Sequence, residues 1–429
     1  MIRSLTDKGL KLLKTQTIKQ SSITFVGTAL TGVLGMVFYI VAARYLGPAE
    51  FGIFSVAIAT LTLVSSLADF GTNTGIVKFT SMYIHANRDT AYRFLKLGLH
   101  IKLLVSVFVW IVGYLVVPSI ARSFFGKPEL IGPLRIAIIG VGGLILFSFS
   151  TYALQALQKY THWTLLTTIM NALRLGGVFV LVYWGIVSTN SILVLYIFFP
   201  FLGFVIGLLY LPHFWKVKNH LTVIREFISY NKWVAVFTVI SALASRLDTF
   251  LITGALTLED VGIYQVAKTL ADIVPQIVFA LGIVVAPKLS SLAGDNKKAI
   301  AYLKKVQLFV LGLAGAGLAL GIPIAHFVIP KLYGIEYSGS IAPFTILLLG
   351  QVLFLISVPA HTSVIYYFSY PRLFVYITLV NLLIVAVFGS YFIPIYGSIA
   401  AAYSMLVGSI TNLLIPGIWV LRRFKNEKA

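Results

Sequence analysis

A short motif occurs twice in this chain, at an offset of 210 residues. Residues 52–57 read GIFSVA and residues 262–267 read GIYQVA. At the same offset Lys78 corresponds to Lys288, so the register holds without a gap over about 30 residues. Similarity at one long spacing indicates a chain that folds as two copies of the same unit.

The chain is too apolar to remain in water. Hydrophobic residues make up 59% of it, charged residues 11%, and the mean hydropathy is +0.95. Such a chain lacks the polar surface needed to cover a soluble core. At roughly 20 apolar residues per crossing plus short loops, its length suits an all-α integral membrane protein with about twelve transmembrane helices. The predicted spans are 21–43, 51–77, 97–118, 131–155, 164–186, 191–211, 233–254, 261–285, 306–329, 341–363, 372–393 and 397–420.

The basic residues are distributed unevenly between the predicted loops. The chain carries 33 lysines and arginines against 13 acidic residues, for a formal net charge of +20. About 24 of the basic residues lie in the termini and in alternate loops, and about five lie on the opposite side. This asymmetry predicts a plasma-membrane protein with both termini in the cytoplasm. The partner of the excess charge is then the lipid of the inner leaflet, and we expect no nucleic-acid binding.

An even number of spans in each half means that both halves enter the membrane in the same direction. The halves are therefore predicted to be parallel repeats, and in transporters built from repeated halves the substrate site lies between them. We expect the linker to lie as a helix on the membrane surface. The predicted organisation is a cytoplasmic amphipathic segment, a six-helix lobe, a cytoplasmic linker, a second six-helix lobe and a cytoplasmic tail, at 1–20, 21–211, 212–232, 233–420 and 421–429.

The sequence lacks the motifs of most catalytic and cofactor sites. It has no cysteine, no glycine-rich phosphate loop ending in Gly-Lys-Ser/Thr, and no His-Glu-x-x-His. The seven histidines are scattered without metal-ligand spacing. The acidic residues predicted on the outer side lie on short loops, which disfavours a membrane-embedded glycosyltransferase, polymerase or ligase. We therefore expect no enzyme activity, no metal and no organic cofactor.

Cations within or beside the predicted spans are candidates for a binding site, because a charge at the centre of a bilayer costs from about 3 to over 10 kcal/mol. Arg174 is predicted near the midplane of span 5, Arg246 in the outer half of span 7, and Lys268 about two turns below the outer surface. Arg44, at the outer end of span 1, is either an interfacial anchor or a cation at the mouth of a cavity. These four are candidate ligands for an anion, best a phosphate or diphosphate. Lys102, by contrast, lies close enough to the cytoplasmic face for its ammonium to reach the headgroups.

Three aspartates are candidates for ion coupling or gating, namely Asp248, Asp272 and Asp69. Asp248 and Arg246 are two residues apart on a helix and cannot pair with each other. Lys268 and Asp272 are four residues apart on one face, where they either pair or serve the substrate. Asp69 either pairs with a neighbouring basic loop or gates the inner side.

Five stretches carry a resemblance to a known family. Residues 44–52 read RYLGPAEFG, and residues 69–71 read DFG. The second half contributes RLD at 246–248, VGIY at 261–264 and APKLS at 286–290. With these stretches the chain resembles the polysaccharide transporter family, the Wzx-like oligosaccharide flippases of the multidrug/oligosaccharidyl-lipid/polysaccharide exporter superfamily.

The resemblance implies two six-helix lobes around a cationic central cavity. It implies export of a polyprenyl-diphosphate-linked oligosaccharide from the cytoplasmic to the outer leaflet by alternating access. H+ or Na+ are the candidate coupling ions, and other polysaccharide-assembly proteins are candidate partners. Two relatives in the same superfamily remain as alternatives. One is an ion-coupled multidrug exporter, which normally carries acidic residues poised for cationic drugs, and the other is a lipid II-type flippase, which has a fourteen-span plan.

Overall fold

The computed structural model describes residues 16–218, 220–292 and 294–426, with side chains from Ile23 onward except that of Trp233. Most of the predicted amphipathic segment 1–20 and the end of the predicted tail, 427–429, lie outside the described residues. The described chain is built from α-helices and contains no strand. Single π-helical turns extend three of the helices, α3, α10 and α12. In chain order the helices are α1 (Gln16–Asp69), α2 (Thr72–Tyr83), α3 (Arg88–Ser119), α4 (Ile131–Ala156), α5 (Tyr160–Tyr183), α6 (Thr189–Leu209), α7 (Leu221–Ala255), α8 (Leu258–Ala271), α9 (Ile273–Ser290), α10 (Asn296–Val328), α11 (Ile341–Ile356), α12 (Val358–Thr362), α13 (Arg372–Tyr396) and α14 (Ser398–Asn426).

Eleven helical stretches of the described chain are long and apolar enough to cross a membrane. The first of them, Ile23–Asp69, contains 47 residues. At 1.5 Å per residue it would be about 70 Å long, more than twice the hydrocarbon thickness of a bilayer. Because its backbone breaks at Gly47, it counts as two crossings. The all-α membrane fold with about twelve spans is therefore confirmed.

The chain forms two compact units. The first unit comprises the residues up to Tyr45 together with Ala57–Val239, and the second unit comprises Leu46–Val56 together with Ile240–Ala429. A segment of the first half therefore packs with the second half. Within the predicted linker, α7 begins at Leu221 and continues without a break to Ala255. The first turns of α7 belong to the core of the first unit.

Each copy of the repeated motif follows a break in the helix. In the first copy Gly47 has φ 74° and ψ 168°, which interrupts α1. Pro48 follows it, and proline suits the first turn of a helix because the missing N–H has no partner there. In the second copy, 210 residues on, Thr257 caps α8 by accepting a hydrogen bond from the Asp260 N–H. The repeat in sequence is thus also a repeat in local structure.

The glycines that begin the two motifs, Gly52 and Gly262, lie where the two backbones pack against each other inside the second unit. A Cβ added at Gly52 would lie 1.8 Å from the carbonyl oxygen of Leu258, and one added at Gly262 would lie 2.0 Å from that of Pro48. Leu258 and Pro48 are themselves 210 residues apart. The contact is therefore reciprocal, as a local two-fold relation requires. Glycine is needed at both positions because the backbones are in contact.

Candidate functional site

The second unit holds a buried cluster built from α7 and α8. The Lys268 ammonium donates to both carboxylate oxygens of Asp248, at 2.8 and 2.6 Å. The Tyr264 hydroxyl donates to the same carboxylate at 2.8 Å. Asp248 and Tyr264 are fully buried, and Lys268 is buried apart from 7% of its surface. These three hydrogen bonds, together with a longer one of 3.5 Å from the Thr249 hydroxyl, hold the Asp248 carboxylate between α7 and α8.

The position of these three residues follows from the turn between α7 and α8. Asp248 lies about two turns before residues 256–257, and Tyr264 and Lys268 lie about two and three turns after them. Tyr264 and Lys268 are four residues apart, so both side chains leave α8 on one face and bracket the carboxylate. An ammonium and a carboxylate that neutralise each other avoid the cost of a lone charge in an apolar region.

Asp272 lies beside this cluster at the break between α8 and α9. The break has a local cause, because Pro275 cannot donate a backbone hydrogen bond to Ala271, four residues before it. The Asp272 side chain is exposed and accepts one long hydrogen bond, 3.5 Å, from Gln351 on α11. Lys268 and the half-buried Arg246 are within electrostatic range of its carboxylate. Lys268 therefore donates to Asp248 and to the Ser245 carbonyl, at 3.3 Å, and not to Asp272, the partner considered from the sequence.

The first unit contains a second buried ion pair. The Lys102 ammonium on α3 lies 2.9 Å from Asp69 Oδ1 at the end of α1, and it also donates to Ser148 Oγ on α4 at 2.9 Å. Thr72 donates to the same Asp69 oxygen at 2.8 Å. Only 1% of the Lys102 side chain is exposed. The expectation that Lys102 extends to the headgroups is therefore wrong, because its ammonium is buried and pairs with the Asp69 carboxylate.

Arg174 occupies a different environment in the first unit. Its guanidinium carbon lies 4.8 Å from the ring centroid of Phe38 and 4.3 Å from that of Tyr196. One terminal nitrogen donates to Asn171, one turn earlier on α5, while Nε is buried without a hydrogen bond. No carboxylate pairs with Arg174 among the described residues. Aromatic faces stabilise this cation while leaving its charge unmatched.

The structure thus divides the candidate residues between the units. Arg246, Lys268, Asp248 and Asp272 come together in the second unit. In the first unit Asp69 pairs with Lys102, whereas Arg174 stacks on the rings of Phe38 and Tyr196. The sequence reading assigned no function to Tyr264, Ser148 or Gln351, which complete the polar networks. For Tyr264 a signal existed, since it lies one turn before Lys268 and opposite Asp248 across the α7–α8 turn. Arg44 is exposed in the first unit.

Comparisons with known proteins agree on family and fold. The model of the family described as "Polysaccharide biosynthesis protein" matches residues 17–293. An inward-facing MATE-family multidrug resistance transporter of the MOP superfamily is similar at a TM-score of 0.75 and 13% identity, covering 94% of this chain and 99% of that chain. The lipid II flippase MurJ in an inward closed conformation is similar at a TM-score of 0.72 and 17% identity, covering 94% and 88%.

A further neighbour is a MOP-superfamily transporter from Pyrococcus furiosus, with a TM-score of 0.61, 13% identity and 96% of each chain covered. No curated protein sequence matches this chain. The structural neighbours establish the fold, and the family match spans more than half of the chain. The resemblance seen in the sequence is confirmed. This chain belongs to the polysaccharide biosynthesis protein family and has the all-α multi-pass membrane fold of the transporters it is similar to.

Proposed function

We propose that this protein is a flippase that moves a polyprenyl-diphosphate-linked oligosaccharide from the cytoplasmic to the outer leaflet of the plasma membrane. The family match connects the chain with polysaccharide assembly, and its fold is shared with transporters, among them a lipid II flippase. The distribution of basic loops supports cytoplasmic termini. The observation that carries the choice of cargo is Arg174, a membrane-embedded cation without a carboxylate partner among the described residues.

Arg174 is suited to bind a diphosphate oxygen. The rings of Phe38 and Tyr196 fix the plane of the guanidinium, and at least its Nε donor is left unused by the protein. A guanidinium with free donors forms short, charge-assisted hydrogen bonds to phosphate. The diphosphate would replace the missing carboxylate. The polyprenyl tail would remain in lipid, so no charge has to cross hydrocarbon unpaired.

The two candidate cations of the second unit, Lys268 and Arg246, differ in how available their charge is to a ligand. Lys268 is already neutralised by Asp248 at 2.6 Å, so its charge is less available to a ligand. Arg246 shares its surroundings with Asp272. We therefore propose Arg174 as the principal diphosphate contact of the first unit, and Arg246 as the more available of the two cations in the second unit. Arg44, exposed in the first unit, is proposed to meet the cargo near the outer surface.

Of the three acids, we propose Asp272 as the one that couples transport to H+ or Na+. The Asp248 carboxylate is enclosed and occupied by Lys268 and Tyr264, whereas Asp272 is exposed at a helix break. Binding of a cation there would change the balance of charge beside Arg246. Asp272→Asn should leave transport insensitive to the coupling gradient. If the gradient dependence of Asp272→Asn equals that of the parent, this assignment fails. For Asp69 the role of an inner gate stays a prediction, with Lys102 as its partner.

Transport by proteoliposomes tests the cargo directly. The measurement is the rate at which a fluorescent polyprenyl-diphosphate oligosaccharide becomes accessible on the opposite leaflet. Arg174→Gln should lower this rate about 10-fold or more, because a charge-assisted hydrogen bond contributes about 1.5–3 kcal/mol. Arg246→Glu should abolish it while membrane insertion is preserved. Parental rates for Arg174→Gln would remove this residue from the mechanism.

Arg135→Gln is the matched control for Arg174→Gln. Arg135 is also a half-buried arginine in a membrane helix of the first unit, with its guanidinium 4.3 Å from the ring centroid of Tyr114. It lies in the first turns of α4, away from the midplane. If both variants lose transport equally, the loss reflects the removal of a stacked arginine and not of a cargo contact.

The second candidate function is an ion-coupled multidrug exporter. The fold of a MATE-family multidrug resistance transporter and the exposed acid Asp272 favour it. The Pyrococcus furiosus transporter is described as having a binding pocket of reverse polarity that suggests a different function. Whether the cargo is an anion or a cation must therefore be inferred from the residues of the binding site, because the fold is shared by transporters whose binding pockets differ in polarity. Efflux of a cationic dye that exceeds transport of the diphosphate glycan would favour the exporter.

A further inference from the structure

An apolar groove opens on the second unit between α10, α12 and α14. Its volume is about 520 Å³. That size lies within the usual range of small-molecule sites. Its walls are formed by aliphatic side chains such as Leu303, Leu413 and Val420 and by Phe424, and two lysines, Lys304 and Lys425, line it as well. None of the residues proposed above for transport lines it.

Buried side chains form the base of the groove, and the space beside Gly417 is empty. Val420 and Phe424 belong to a buried core cluster, against which Leu303 packs. The side-chain amide of Gln307 is bonded to the carbonyl of Ile356 at 3.3 Å. Gly417 also lines the groove, and a Cβ added there would meet no heavy atom within 4 Å. The space above Gly417 is therefore available to a ligand.

The two lysines lie near the start of α10 and at the end of α14, helix ends that the loop charges place on one side of the membrane and that define one end of the groove. Lys425 is in the last turn of α14, and Lys304 lies about two turns into α10. Both side chains are exposed, and no carboxylate pairs with either of them among the described residues. The loop charges assign this end to the cytoplasmic side. An apolar groove with cations at one end matches a molecule that has a hydrocarbon chain and an anionic head.

We infer that this groove binds an anionic phospholipid of the inner leaflet, with an acyl chain along Leu303, Leu413 and Gly417 and the phosphate at Lys304 and Lys425. Lysine ammonium groups bind phosphate as point charges. Basic pockets between membrane helices on the cytoplasmic side are suited to lipid headgroups. We propose bulk phospholipid and not a carrier lipid, because phospholipid is present at a far higher concentration and the occupancy of a site rises with ligand concentration. The site does not depend on the proposed transport function.

Purified protein in nanodiscs tests the inference. The probe is phosphatidylglycerol in a background of phosphatidylcholine, and the measurement is the number of phosphatidylglycerol molecules retained per protein by native mass spectrometry. The double variant K304Q/K425Q should retain at least about 5-fold less phosphatidylglycerol, which corresponds to a loss of about 1 kcal/mol. Gly417→Leu should reduce retention to a similar degree by filling the groove without changing charge.

Lys305→Gln is the control, because Lys305 is the exposed neighbour of Lys304 on the same helix but does not line the groove. It should retain phosphatidylglycerol like the parent. Equal retention of phosphatidylcholine, an equal loss in Lys305→Gln, or unchanged retention in Gly417→Leu would overturn the site. Elution as a single species and an unchanged melting temperature in phosphatidylcholine alone establish that each variant is folded. If trace polyprenyl phosphate displaced phosphatidylglycerol, the inference of a phospholipid site would be overturned in favour of a carrier-lipid site.

Discussion

The two units each bury an aspartate–lysine pair, but the pairs are enclosed to different degrees. In the second unit the Asp248 side chain is 0% exposed and that of Lys268 is 8% exposed. In the first unit Asp69 is 13% exposed and Lys102 is 1% exposed. Each acid also accepts a hydroxyl, that of Tyr264 in the second unit and that of Thr72 in the first. Each lysine has a further acceptor, the Ser245 carbonyl at 3.3 Å for Lys268 and Ser148 Oγ at 2.9 Å for Lys102. The two pairs therefore differ in the exposure of the acid and in the length of the second hydrogen bond of the lysine, which is shorter in the first unit.

The two pairs are not copies of each other. At the offset of 210 residues, Asp248 corresponds to Phe38, and Lys268 corresponds to Ile58. The position that supplies the carboxylate for Lys268 in the second unit supplies an aromatic face for Arg174 in the first. One repeated scaffold thus holds a cation in two ways, by charge neutralisation and by cation–π contact. The second way leaves the charge open to a ligand, which is why the proposed cargo contact lies in the first unit.

The largest effect is expected from Asp248→Asn. It leaves the Lys268 ammonium buried and unneutralised, which costs about 3–5 kcal/mol. We expect a clear decrease in the free energy of unfolding, measured in detergent by tryptophan fluorescence against a denaturant. The double variant Asp248→Asn/Lys268→Met removes both charges and should recover most of the loss. If the single variant is as stable as the parent, the pair is not needed to hold α7 against α8.

A smaller effect is expected from Asp69→Asn in the same unfolding measurement. Lys102 keeps its hydrogen bond to Ser148, and the site is partly solvated. The expected loss is about 2–3 kcal/mol, below the about 3–5 kcal/mol for a fully buried ion pair, because solvent at Asp69 partly screens the remaining charge of Lys102. Asp69→Asn/Ser148→Ala should lose more than Asp69→Asn alone. A loss equal to that of Asp248→Asn would show that the two pairs are equivalent in spite of their difference in exposure.

The sequence predicted the helices better than the pairings. Hydrophobicity and loop charge are local properties, so the spans follow from runs of apolar residues. The Asp69–Lys102 pair was also within reach, because each residue lies about 16 residues from the turn between α2 and α3. The pairing of Lys268 with Asp248 and not with Asp272 could not be predicted from the sequence, since it depends on which face of α8 packs against α7. The lipid groove combines three helices that are distant in sequence, so no local pattern indicates it.

The contribution of Tyr264 sharpens the same comparison, because only the second-unit pair has a phenol bonded to its acid. Tyr264→Phe removes one buried hydrogen bond to a charged group, and we expect a loss of about 1.5 kcal/mol in the free energy of unfolding. Tyr333→Phe is the matched control, since Tyr333 is equally buried but its hydroxyl has no hydrogen-bond partner. That variant should be as stable as the parent or slightly more stable. Equal losses in both variants would show that Tyr264 acts through packing alone.

The smallest effect is expected from the exposed pair of Asp295 and Lys298, which extends the comparison to solvent. Its side chains are 41% and 75% exposed, so the ion pair itself is screened. Hydrogen bonds from the Lys298 side chain and from its backbone N–H hold the pKa of Asp295 below its ordinary value. A lowered pKa in the folded protein contributes stability at neutral pH that is lost as the pH falls through that pKa.

Asp295→Ala should therefore lower the melting temperature by no more than about 2 °C at pH 7, and the difference should shrink as the pH is lowered toward about 3. Asp295→Asn keeps an acceptor at the cap of α10 and should retain most of the stability. A difference that is constant with pH would mean that the carboxylate acts as a neutral cap. A loss of stability as large as that of Asp69→Asn would mean that solvent exposure does not determine how much each ion pair contributes to stability. The difference between the units would then need another cause.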